Sequence, residues 1–207
     1  MSSSLTEAVV ARLRTVGAVP KEQDLYSGAG TDFYDRLVGS DRAEIREMLA
    51  LARGTEGPIL DVAAGSGRLT VPLVRSGKRV TAIDLSDDML SRLRRTLPDH
   101  AMLECVVADM RDFSLPQQFG LVIIGATSIT LLDRVGRSLL YATVRRHLTA
   151  HGVFAFTVAG NASAESFSVS TDCEIEVPGP DGAETYVFSQ QAVSYTHLRA
   201  HETRGNL

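Results

Sequence analysis

Apolar residues recur along the chain with two different periods, and the changes between them mark its elements. Residues 6–16 carry Val9, Val10, Leu13 and Val16 on one helical stripe, which Gly17 and Pro20 bring to an end. A glycine-rich, irregular stretch covers 21–31, and then Phe33, Tyr34, Leu37 and Val38 open a second helical piece. Ser40 or Asp41 is placed to cap a third helix through Leu51, with Glu44 at the capping-box position and Ile45, Leu49 and Leu51 as its apolar side. Gly54 and Gly57 deliver the chain to a short apolar run over 59–62, a glycine turn, and a helix opened by Leu69, Val71 and Leu73. Beyond it the pattern predicts strands over 79–85, 101–107, 121–124 and 153–158. Between them it predicts a helix capped by Ser86, with Met89, Leu90 and Leu93 inward and Pro98 closing it, and a helix over 134–148 that ends by Gly152. Strands alternating with helices through short connections predict an α/β fold with a parallel sheet covered on both faces. Residues 173–177 and 184–189 then alternate around Pro178-Gly-Pro-Asp-Gly182, which predicts a β-hairpin after strand five.

Composition narrows the picture. A chain of 207 residues with 44% hydrophobic content fits one globular domain with a real core, and a net charge of −4 offers no basic stripe for RNA or DNA. A small or peptidic partner is favoured. Residues 1–6 are polar, and no run approaches the roughly 20 apolar residues that span a bilayer, so the chain reads as a soluble cytoplasmic protein without a membrane partner. Cys105 and Cys173 have neither metal spacing nor disulfide density and read as buried thiols. No metal site is expected. The arginines of 134–146 are spaced as a solvated helix face, and His147 and His151 read as surface histidines.

The candidate chemistry begins where the first predicted strand meets the glycines. Gly65 and Gly67 let the backbone turn into a helix N-terminus, a place that accepts anions. Thr70 stands where a dinucleotide G-x-G-x-x-G pattern has its third glycine, and Asp61 at the strand end suits a cation better than a pyrophosphate. The string Leu60-Asp-Val-Ala-Ala-Gly-Ser-Gly-Arg resembles motif I of class I S-adenosylmethionine-dependent methyltransferases, L-D-x-G-x-G-x-G, with Ala63 at a usual glycine. The resemblance covers about residues 34–158. It implies a Rossmann-like three-layer sandwich and S-adenosyl-L-methionine as cofactor.

Carried over position by position, the resemblance places Asp61, Ala63, Gly65 and Gly67 in the cofactor cradle. Asp84 and Leu85 follow at the end of strand two, with Asp84 accepting both ribose hydroxyls. Asp109 and Met110 match the adenine-binding turn. Met89 either packs on adenine or is simply core. Gly125 begins the lip after strand four, where Thr127 and Ser128 either bind an acceptor or cap a helix. Tyr34 matches a tyrosine placed over the sulfonium, where its π face favours a cation, and Tyr26 is a second aromatic candidate on the substrate side. Phe119-Gly-Leu-Val122 departs from the family's F-D-L-V by lacking the acid at Gly120. No general base is evident. The pattern around the motif is also similar to N-methyltransferases of actinobacterial natural-product pathways, including those that dimethylate the terminal amine of daptide-type peptides.

The implied activity is methyl transfer to a small-molecule or peptide acceptor, an amine by preference; the alternatives are a catalytically inactive cofactor-binding module and, less well supported, a nicotinamide-dependent oxidoreductase. The expected organisation is an N-terminal helical cap over 1–57, the cofactor-binding core over 58–160, and the hairpin over 161–192 as a lid or homodimer contact. Residues 193–207 show neither period and resemble a translated sequencing adapter. On that reading the natural chain continues past Gln191, and the present one is C-terminally truncated before the closing antiparallel strands.

Overall fold

A five-stranded sheet and the helices that cover it organise the larger part of the described residues. The computed structural model describes residues 7–17, 19, 24–38, 42, 44–158, 171–179 and 182–190. Two units are distinguished, one made of residues 23–158 and the other of 1–22 with 159–207.

The larger unit runs α2 (Ala29–Val38), α3 (Ile45–Arg53), β1 (Ile59–Val62), α4 (Thr70–Arg75), β2 (Val80–Asp84), α5 (Asp87–Thr96), β3 (Leu103–Val107), β4 (Phe119–Ile124), a short 3-10 turn (Ser128–Leu131), α6 (Arg134–His147) and β5 (Leu148–Phe156), numbered after α1 (Glu7–Val16) of the smaller unit. The sheet order is β3-β2-β1-β4-β5 and every pairing is parallel. Every position of β1 and β4 is buried, as expected of strands covered on both sides. Alternation divides the core in two. Ile59, Val80, Ala82, Leu121 and Ile123 face Met48, Leu73, Leu90 and Leu93, whereas Leu60, Val62, Ile83, Val122 and Ile124 face Phe113, Leu140 and Val144. Asp133 and Ser86 cap α6 and α5, their side chains accepting from the amides of Gly136 and Met89.

The smaller unit contains α1 and the hairpin of β6 (Thr171–Gly179) with β7 (Gly182–Gln190), paired antiparallel from Thr171↔Gln190 to Gly179↔Gly182. No helix among the described residues is long and apolar enough to cross a membrane.

Several expectations need correction. The Glu44 capping box does not form: Glu44 precedes α3 at φ 59°, and its carboxylate is used elsewhere. Leu51 is 41% exposed, and the buried side of α3 is Met48 and Ala52. Ser40 and Asp41 lie outside the described residues, as do residues 193–207. Strand β5 begins at Leu148, earlier than expected, because the chain leaves the helix directly into pairing with Phe119 and regains register at Val153 through a bulge. His147 is buried rather than on the surface. Its ring packs on Phe113 at 4.6 Å, its Nε2 accepts from the Leu115 amide at 3.0 Å, and its Nδ1 lies 2.8 Å from the Thr143 carbonyl. With Nε2 accepting, Nδ1 is the nitrogen that carries the proton. Cys105 is half-buried, and the burial of Cys173 lies outside what is described. Gly120 has a steric reason to lack the family's acid, since any Cβ there would overlap the backbone carbonyl of Glu56.

Candidate functional site

The strand order turns back at β1, and the residues just past the carboxyl ends of β1, β2, β3 and β4 surround a cavity of about 640 Å³. That is the position where open parallel sheets hold ligands, and the size suits a small organic molecule.

The cradle is built from the β1 turn and the end of β2. Gly65 adopts φ 56°, and a Cβ there would meet nothing within 4 Å, so the need for glycine is conformational and its open side faces the cavity. Ala63 is at φ 56° as well, the left-handed region that explains the family's glycine and that costs an alanine about 1 kcal/mol. Asp84 ties the two strands together. One carboxylate oxygen accepts the Gly65 amide and the other accepts the Ser86 amide, both at 2.8 Å, which leaves each oxygen a lone pair for a ligand hydroxyl.

One side of the cavity is formed by Met89, Ala108, Asp109 and Met110. Met89 is 1% exposed and serves both the core and the wall. Asp109 is held by the amide and guanidinium of Arg111, and those hydrogen bonds hold its carboxyl below the usual range. Leu85 lies at the mouth, 73% exposed. On the other side Thr127 and Ser128 line the cavity, with Thr127 at φ 56° as the residue before the 3-10 turn and making no side-chain cap.

Tyr26 and Tyr34 complete the enclosure, their rings edge-to-face with centroids 5.2 Å apart. Burial raises both hydroxyls above their ordinary pKa. The charges of Asp24 and Asp84 add to this for Tyr26; for Tyr34, Tyr26, Asp35 and Asp84 raise and Arg68 opposes.

Three predicted cofactor residues stand behind the wall rather than on it. Asp61 is 2% exposed and accepts the Thr70 hydroxyl at 2.6 Å. Burial drives its pKa up to about 7, against the lowering by Thr70; Asp84 and Glu44 add to the rise and Arg68 opposes it. Gly67 is buried, and Gly125 gives space to Leu69 and the Glu44 carboxylate. Their part is to shape the loops that touch the cavity.

Other site residues were not anticipated. Asp24, Asp87 and Asp88 line the cavity, Asp24 accepting the Tyr26 amide at 3.0 Å. Asp87 and Asp88 have the ordinary place of first-turn helix acids, which conceals any second use. Glu44 accepts both the Arg68 guanidinium and, at 2.7 Å, the Ala126 amide, joining the glycine turn to the lip. No metal-holding group of acids, cysteines and histidines occurs among the described residues.

Comparison with known proteins gives a consistent result. The family model described as "Methyltransferase domain" matches residues 59–152. The putative methyltransferase YqeM of Bacillus subtilis (strain 168) is 32% identical over 150 residues, 71% of this chain and 61% of that protein. A dTDP-3-amino-3,4,6-trideoxy-alpha-D-glucopyranose N,N-dimethyltransferase of Streptomyces venezuelae is 28% identical over 131 residues, 62% and 51% respectively. The glycopeptide N-methyltransferase MtfA, solved with S-adenosyl-L-homocysteine, superposes with a TM-score of 0.59 at 32% identity, covering 90% of this chain and 70% of that one. The chain spans about half the length of the curated relatives it matches.

Proposed function

Since the chain belongs to the class I S-adenosylmethionine-dependent methyltransferases, we propose that it transfers a methyl group from S-adenosyl-L-methionine to an amine of a small molecule or peptide. One observation carries this reading. Asp24, Asp84, Asp87, Asp88 and Asp109 line the cavity, and among the described residues no lysine, arginine or histidine does. Such a lining attracts a sulfonium and an ammonium and repels phosphate, which disfavours a nucleic-acid acceptor. The relatives named for an amino sugar and for a glycopeptide N-methylation support nitrogen as the acceptor atom.

The residues present fit the cofactor. Asp84 has lone pairs for the ribose hydroxyls, the Met89, Ala108 and Met110 side offers an apolar slot with Asp109 at its edge for adenine, and the turn through Gly65 leaves open backbone for the methionine end. When bound, the cofactor supplies an electrophilic methyl whose carbon–sulfur bond breaks as the acceptor nitrogen's lone pair forms the new bond. The chain's own part is to orient, exclude water and manage charge. With their pKa values raised, Tyr26 and Tyr34 stay neutral phenols, presenting hydroxyl and π face but no phenolate to take a proton. The carboxylates favour the ammonium form of an amine, which has no lone pair to give. The reaction therefore accelerates as pH rises, about tenfold per pH unit until the bound amine is neutral.

The test is formation of S-adenosylhomocysteine with a panel of amino sugars, simple amines and peptides with free N-termini, read by mass spectrometry as added methyl groups. Methylation of amines, faster at higher pH, is expected. Methylation confined to hydroxyl or carboxylate acceptors would overturn the choice of nitrogen, and cofactor binding without transfer to any acceptor would favour an inactive cofactor-binding module.

A further inference from the structure

The segment from Asp24 to Val38 carries both tyrosines of the cavity, and several of its links to the rest of the larger unit meet on one helix. Ser86 Oγ, at the cap of α5, donates to the Tyr26 carbonyl. The Gly28 amide donates to Asp88 Oδ2 at 2.8 Å. Arg92, one turn further along α5, spreads its guanidinium over three residues of α2: Nε donates to Thr31 Oγ1 at 2.8 Å, Nη1 to Asp35 Oδ2 at 3.1 Å, and Nη2 to Asp32 Oδ1. This is more than an ordinary surface ion pair, which contributes little to stability. The Arg92 side chain is only 22% exposed, Thr31 is 2% exposed, and a planar fork with several donors fixes orientation as well as distance. The same helix presents Met89 to the cavity and follows directly from Asp84. Arg92 thereby connects the tyrosine wall to the element that carries the cofactor cradle.

We propose that Arg92 is a positioning residue that holds the Tyr26–Tyr34 wall at its working distance from the cradle, and so governs use of the acceptor while leaving the cradle's affinity for S-adenosylhomocysteine, which has no sulfonium for Tyr34 to face, unchanged. The claim about the acceptor rests on the methyltransferase reading above; the claim about the wall does not. Among the described residues the Arg92 guanidinium has its hydrogen-bond partners on α2 and none in the cradle. The tyrosines report the geometry themselves, because burial is the first cause of their raised pKa values.

The variants are Arg92→Met, which keeps the stem and removes the fork, Arg92→Lys, which keeps the charge with a single point of contact, and Thr31→Val, which breaks the clasp from the other side. Tyrosine ionisation is followed by absorbance near 295 nm on alkaline titration, with Tyr26→Phe and Tyr34→Phe assigning the two late-titrating rings. S-adenosylhomocysteine affinity is measured by calorimetry. In Arg92→Met the two rings are expected to titrate at lower pH, with partial restoration in Arg92→Lys, a smaller shift in Thr31→Val, and S-adenosylhomocysteine affinity within about threefold of wild type. With an acceptor from the amine panel, KM should rise at least tenfold and kcat change less. An unaltered tyrosine titration in both Arg92→Met and Thr31→Val would overturn the proposal, and so would a tenfold loss of S-adenosylhomocysteine affinity in folded protein, which would put Arg92 in the cradle. Failure of the wild-type chain to bind S-adenosylhomocysteine would instead sink the functional reading, with the titration still deciding for or against the wall.

Discussion

Asp84 and Asp61, two carboxylates at the ends of neighbouring strands, illustrate how far a residue's role is set by what surrounds it. Asp84 faces the cavity with both oxygens partly engaged. Asp84→Ala is expected to weaken S-adenosylhomocysteine binding by about 1–3 kcal/mol in a calorimetric titration, the loss of charge-assisted hydrogen bonds; unchanged affinity would remove Asp84 from the site. Asp61 is sealed beneath the turn, and its pKa of about 7 lies above the 3.8 of an exposed aspartate. As pH rises from about 4, the unfolded chain gives up this proton first while the folded chain keeps it to about 7. Stability therefore falls across that window and levels off above it, by an amount on the order of a few kcal/mol. Asp61→Asn should lose this slope, so its melting temperature relative to wild type should rise between pH 5 and pH 8; no change in that difference would mean the carboxyl is already ionised in the fold. At this scale the sequence made residues beside the glycine motif readable, since Asp84, Asp109 and Met110 sit at fixed offsets from strand ends. It hid those whose partners are distant in the chain. His147 is fixed by Leu115 and Phe113, more than thirty residues earlier, and a histidine in a basic helix end carries no local sign of that.

Among the elements, α5 does the most to organise the site, and its start was readable because Ser86 is a strong cap before an apolar 3-4 repeat. Ser86 also donates to the Tyr26 carbonyl, a second use that no local pattern reveals. Ser86→Ala is expected to cost about 1 kcal/mol in urea unfolding, the usual price of a lost N-cap; a variant as stable as wild type would mean that solvent satisfies the Met89 amide equally well. The beginning of α3 was misread for a physical reason. Glu44 satisfies the local rule for a capping box, but the Arg68 guanidinium and the Ala126 amide compete for the same carboxylate, and their hold on it comes with a left-handed backbone. The late start assigned to β5 has a similar origin, because its first pairing precedes a bulge that interrupts the alternation on which strand recognition depends.

For the molecule as a whole, the parallel sheet was legible because strand and helix periods alternate from residue 59 to β5, broken only between β3 and β4, which a loop connects, whereas the grouping of α1 with the hairpin joins segments far apart in the chain. The sheet divides the core so completely that Ile123 and Ile124, adjacent in sequence, belong to different clusters. Ile123→Val and Ile124→Val should each cost about 0.5–1.5 kcal/mol and add in the double variant to within about 0.5 kcal/mol, measured by denaturant unfolding; strong coupling would show that the two layers repack together. The central place of β1 also sets a timetable for synthesis. Its partner on one side, β2, leaves the ribosome soon after it, but β4, the partner on the other side, follows more than fifty residues later. At roughly 5–20 residues per second the nascent chain carries an open strand edge, apolar except for Asp61, for roughly 3–10 seconds. With only four residues from Ile59 to Val62, that edge gives a neighbouring nascent chain little length on which to pair.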